Sequence, residues 1–251
     1  MLAADLAMGR DDYGMRWIQA YRQRTKESET GLKSVEVLER GATNLTDADR
    51  AYLQIKERII TVQMPPGSVI QEAQLIQELG LGRTPIREAL KQLKSENLVV
   101  FAPRRGMFVS DVAITDLQQI YEVRVELESL CARLAAQRIT PEQLGELKSL
   151  MAECRESDQG DKELVLSLDR RFHQLMAEAA GNKFLRSEVE KFYNLSLRVW
   201  YLAINSIQSQ DVDVDAHFEI ERAIEIRDAD RSERRMREHI RHFHNMIKLY
   251  L

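Results

Sequence analysis

From Ile114 to the carboxyl end, apolar residues recur every three or four positions in six successive stretches, with breaks of only a few residues between them. The stretches lie near 114–137, 141–156, 161–180, 183–207, 212–228 and 231–250. They are separated by Thr140-Pro141, Asp158-Gln159-Gly160, Gly181-Asn182 and Asp228-Ala229-Asp230. Asp230 followed by Glu233 reads as a capping box for the last helix. This part of the chain has almost no β signal and no glycine-rich loop, and connections this short force neighbouring helices to run antiparallel. The expectation is an all-α antiparallel bundle over 113–251.

Residues 45–112 carry a different pattern. Thr46 with Asp49 three positions later marks a helix start, and Tyr52, Ile55, Ile59 and Ile60 continue it until the Pro65-Pro66-Gly67 turn. A short helix near 72–79 offers Leu75, Ile76 and Leu79 to a core, and Gly80-Leu81-Gly82-Arg83 turns the chain into a third helix. There Thr84 is expected as the cap and Pro85 as the first helical position, over about 85–96. Ile86, Ala89, Leu90 and Leu93 form its apolar stripe, and Arg87, Lys91 and Lys94 lie opposite. Two β segments, 98–102 and 107–109, are joined by Pro103-Arg104-Arg105-Gly106. Two helices, a turn, a third helix and a hairpin make a winged helix-turn-helix over 45–112. The fold class is therefore mainly α, a winged helix-turn-helix followed by the bundle.

With 251 residues, two such domains account for most of the chain. Residues 1–44 form an N-terminal extension without sustained period, in which Tyr13, Trp17, Ile18 and Tyr21 are compatible with one short helix and TKESETG with a linker. No apolar run approaches a membrane span, and the first residues are acidic where a signal peptide is basic, so the expected location is cytoplasmic, with no membrane partner. Cys131 and Cys154 lie in helical patterns without metal spacing and read as reduced core thiols.

The formal net charge of −4 conceals an uneven distribution. Between 83 and 105, Arg83, Arg87, Lys91, Lys94, Arg104 and Arg105 face only Glu88 and Glu96. A small basic footprint on an acidic body suits a modular DNA binder. A recognition helix enters the major groove, where an arginine forks onto guanine for about 1–3 kcal/mol of discrimination, while a basic hairpin tip reaches the adjoining groove or backbone.

The stretch LIQELGLGRTPIREALKQLKSENLVVFAPRRGMFVSDV resembles the DNA-binding domain of the GntR family of bacterial transcription regulators. The rest of the chain after it resembles the FCD ligand-binding domain of the FadR subfamily, with six helices as in the VanR-type subgroup. The likeness covers roughly residues 45–251. It implies base and phosphate contacts from Arg83, Thr84 and Arg87, and groove contacts from a wing around Arg104, Arg105 and Gly106. Gly82 stands where the family has a small hydroxyl residue.

Four bundle residues carry metal chemistry. Asp169 and His173 are i and i+4 on one helix, and His217 and His239 lie eleven residues before and after Asp228, so antiparallel packing sets them at one height. Three imidazoles and a carboxylate suit a divalent transition metal such as Zn, Ni, Fe or Mn, although a polar patch in the core has the same spacing. The resemblance favours the metal, because FCD regulators commonly hold one with an Asp and three His at these positions. His242 and His244 fall off the face and read as bystanders. The resemblance also implies a small organic acid effector facing Arg124, for which an interhelical ion pair with Glu122, Glu126 or Glu128 is the plain alternative. Arg198, Tyr201 and Asn205 share a face of the fourth bundle helix and are candidates for the same cavity.

These readings converge on a metabolite-responsive regulator: a homodimer, expected to repress, that binds a pseudo-palindromic double-stranded operator and is switched by a metal-anchored acid. A regulator that senses the metal itself is the alternative. A metal-dependent hydrolase or lyase is disfavoured, because no clear general base stands beside the ligands and an enzyme has no use for a reader helix.

Overall fold

The computed structural model describes residues 45–158, 161–203 and 215–250. The chain divides into two compact units, the first ending at Asp111 and the second beginning at Val112. No described helix is long and apolar enough to cross a membrane.

In the first unit α1 (Asp47–Ile60) starts in a full capping box, with Thr46 accepting from the Asp49 N–H and Asp49 accepting from the Thr46 N–H. The short α2 (Glu72–Leu79) buries Leu75, while Ile76 and Leu79 are only half-buried. Its C-cap is Gly80, at φ 64°, a left-handed conformation in which a side chain is strained. The α3 helix (Arg83–Ser95) begins two residues earlier than its sequence suggests. Gly82, not Thr84, is the N-cap, so α3 starts with no side-chain cap, and Pro85 sits within the first turn, where its missing N–H costs nothing. Ile86, Ala89, Leu90 and Leu93 are buried against α1, whose Ile55, Ile59 and Ile60 complete the core. Strands β1 (Val99–Ala102) and β2 (Gly106–Val109) pair antiparallel, Val99 opposite Val109 and Ala102 opposite Gly106. Gly106 takes φ 104° in open space, so backbone conformation rather than crowding requires glycine there.

The second unit consists, among the described residues, of α4 (Ile114–Arg138), α5 (Pro141–Glu156), α6 (Lys162–Ala179), α7 (Lys183–Ala203), α8 (Asp215–Glu225) and α9 (Ala229–Ile247). Thr140 and Gln143 close a capping box on α5, with Pro141 in its first turn. At the start of α9 the cap is Asp228, which accepts from the Arg231 N–H, and not Asp230. Asp230 and Glu233 instead pair with Arg133 of α4. The long α4 packs against α9, α7, α6 and α8, which makes it the central helix of the bundle. Its Val125, Ala132, Ala135 and Ala136 join Phe172, Leu175, Met176, Ile220, Met236 and Ile240 in one core. Small residues on α4 let its neighbours approach closely, and polar side chains of α4, α6, α7, α8 and α9 meet beside this core.

Candidate metal centre and DNA-reading head

Asp169 and His173 project from one turn of α6, His217 from the first turn of α8 and His239 from the middle of α9. The tight α8–α9 turn folds the last two against each other, and the three imidazoles are buried. One ligand atom from each of the four residues lies within 4.8 Å of all the others. The Nε2 atoms of His173 and His217 stand 3.3 and 3.2 Å from Nε2 of His239. Asp169 Oδ1 lies 3.6, 3.3 and 4.0 Å from Nε2 of His173, His217 and His239. Two nitrogens each about 2.1 Å from one ion stand roughly 3.0–3.4 Å apart in octahedral or tetrahedral geometry. The donor set thus fits a divalent transition ion in ligand type and in spacing.

The surroundings prepare this arrangement. Tyr193 of α7 donates its hydroxyl to Asp169 Oδ2 at 2.7 Å, leaving Oδ1 toward the imidazoles. Phe172 packs its ring against His217 with centroids 4.2 Å apart. Burial alone would raise Asp169, but the charge of His173 and hydrogen bonds from His173 and His217 hold it well below the usual carboxylate range. Burial also opposes charge on His173, yet Glu128 and Asp169 lift it to about 9. His239 is pushed well below the ordinary imidazole value by burial and by the neighbouring His217 and His173.

Arg124 forms its ion pair within its own helix. Its Nε donates to Glu128 Oε1 at 2.5 Å, and its Nη1 donates to Ser196 of α7 at 2.6 Å. The guanidinium lies between the rings of Tyr193 and Phe243. Glu122 and Glu126 take other partners, Gln118 and Arg237. Arg198 is almost wholly buried, Tyr201 is half-buried, and Asn205 lies outside the described residues. His244 is buried away from the cluster, stacked on Tyr121 and bonded to Gln118, whereas His242 is exposed. Sequence reasoning missed Tyr193, and it gave Glu128 no role toward His173. The i, i+4 spacing of Arg124 and Glu128 was the one signal that pointed there.

In the first unit Arg83, Thr84 and Arg87 are exposed at the start of α3, and Arg104, Arg105 and Gly106 are exposed at the hairpin tip. Arg87 Nε meets Glu72 of α2 at 2.8 Å. Lys91 pairs with Glu88, and Lys94 lies over the ring of Phe101.

Residues 47–109 match the model described as bacterial regulatory proteins, gntR family, and residues 119–242 match the FCD domain. An uncharacterized HTH-type transcriptional regulator from an unstable DNA locus of Streptomyces ambofaciens is 32% identical over 80% of this chain and 84% of its own. The chain belongs to the GntR family. This GntR-family protein is a DNA-binding transcriptional regulator with an FCD domain, and its relatives are regulators rather than enzymes. The uncharacterized regulator YdhC of Bacillus subtilis is 29% identical, a match spanning 57% of this chain and just under two thirds, 65%, of the relative. In structure this chain resembles McbR/YncC of E. coli, with a TM-score of 0.72 at 20% identity over 82% of this chain and 99% of that one, which speaks for the fold.

Proposed function

We propose that this regulator is a cytoplasmic homodimer that holds a divalent transition metal on Asp169, His173, His217 and His239 and changes its grip on operator DNA when a small organic acid binds at that metal. The reading rests on one observation above all: three buried imidazole Nε2 atoms and one carboxylate oxygen aimed at a common point. When bound, the ion would supply Lewis-acid positions to an acid's carboxylate. Arg124, already aligned beside the cluster, would add a charge-assisted donor, with Arg198, Tyr201 and Asn205 as further candidates on α7 and beyond it.

Sensing belongs to residues 113–251 and DNA reading to 45–112. In the reading head, Arg83, Thr84 and Arg87 would meet bases and phosphates, and Arg104, Arg105 and Gly106 the adjoining groove. The uncapped N-terminus of α3 supports a phosphate contact there. A second copy would cover the apolar face of α4 and α7, where Leu130 is 41% exposed and Phe184 76% exposed beside half-buried Leu127 and Leu134. Two reading heads then suit a pseudo-palindromic operator. The acid must bind the DNA-competent and incompetent states unequally, and release of a repressor is the expected direction.

Elemental analysis with native mass spectrometry, before and after mild chelation, tests the reading. One ion per subunit of a dimer, with a small acid retained, supports it. An ion that alone alters operator binding, with no acid retained, would replace it with a metal-sensing regulator. A metal-free protein that takes up no added ion would overturn it.

A further inference from the structure

Glu128 lies on the inner face of α4 and is 2% exposed. Its two oxygens serve different partners. Oε1 accepts from Arg124 Nε, and Oε2 meets His173 Nδ1. His173 presents its other nitrogen, Nε2, to the cluster with His239 and Asp169. Arg124 is itself tied to Ser196 and held between two rings, so the carboxylate cannot follow a displaced guanidinium without leaving His173. A single buried carboxylate therefore joins an imidazole of the cluster on α6 to the guanidinium on α4 and, through it, to α7.

We propose that Glu128 is the positioning residue of the metal centre, fixing His173 as the Nδ1–H tautomer with Nε2 free to ligate, and coupling metal occupancy to the placement of Arg124. The inference rests on the metal reading above. An imidazole that ligates through Nε2 carries its proton on Nδ1, and a carboxylate accepting that proton sets the ring's orientation and strengthens its donor character. A carboxylate this buried is costly unless paired, so displacing either Arg124 or His173 leaves one of its oxygens buried without its partner. Coupling of this kind is reciprocal: what orders Arg124 tightens the metal, and the metal orders Arg124.

The test uses the full chain loaded with Co(II), whose visible absorption reports its ligands. Glu128→Gln is expected to weaken Co(II) binding about 10–100-fold in chelator competition and to shift the visible bands. A merely structural role would lower the melting temperature of the metal-free protein while leaving affinity and spectrum unchanged, and that result overturns the inference with the metal site intact. Failure of the unaltered protein to bind Co(II) overturns the metal reading and this inference with it. Should Glu128→Gln not fold, long-range 1H–15N spectra of the Zn(II)-loaded natural sequence decide. A protonated, slowly exchanging Nδ1 on His173 supports the role, and a proton on Nε2 or rapid exchange at Nδ1 refutes it.

Discussion

His217 and His239, 22 residues apart in the chain, face each other Nε2 to Nε2 across 3.2 Å, and His173 approaches the same His239 nitrogen from 3.3 Å. A ring nitrogen offers one proton or one lone pair, never both, so His239 cannot satisfy two imidazole nitrogens at once. A shared cation would resolve the conflict by taking a lone pair from each ring.

His217→Ala removes a donor from that shared point without disturbing the first unit. The variant is expected to lose its ion, measured by elemental analysis per subunit, while the metal-free protein still binds operator DNA. Retention of one full equivalent would show that the ligand set is wrong.

Arg87→Ala takes a forked donor from the exposed face of α3 and leaves Ile86 and Leu90 in the core. Operator affinity is expected to fall by about 1–3 kcal/mol, with relaxed preference at one base position. Fluorescence anisotropy at fixed salt measures both. Unchanged affinity would remove Arg87 from the reading head, and a uniform loss across sequences would make it a phosphate contact.

The two thiols should be inert in the folded protein. Burial, aided by Glu128, pushes Cys131 up to about 12, and burial with Glu153 pushes Cys154 up to about 11. At pH 8 an aromatic disulfide reagent is expected to label neither until denaturant is added. Rapid labelling of either native thiol contradicts this.

Acid should weaken the second unit partly through His244, which burial and the nearby Lys248 and Arg124 depress to about 4. The unfolded chain protonates this ring near its ordinary value of 6.5. Between these values the unfolded state binds the extra proton, so stability falls as pH drops from 6.5 toward 4. Urea unfolding of the natural protein and of His244→Gln across this window should show a shallower decline in the variant, and parallel curves would refute the assignment.

Much of this architecture was legible in the residues themselves. Helical periodicity and local signals such as Thr46 with Asp49, Thr140 with Pro141, and Gly80 act over a few residues, so the order and approximate bounds of the helices and the hairpin follow from sequence alone. The convergence of His217 on His239 was legible too, because a tight turn at Asp228 makes equal chain distances equal heights. Competing caps were not. Thr84 or Gly82, and Asp230 or Asp228, are equally good local choices, and tertiary contacts distinguish them: Ile86 is buried in the core just after the start of α3, and Asp230 pairs with Arg133 of α4 at the surface. Only the tertiary structure revealed the partners of Glu128 and Tyr193. Their contacts with His173 and Asp169 cross between helices far apart in the chain, and the packing of α4 against its neighbours, which no local pattern encodes, fixes which side chains meet.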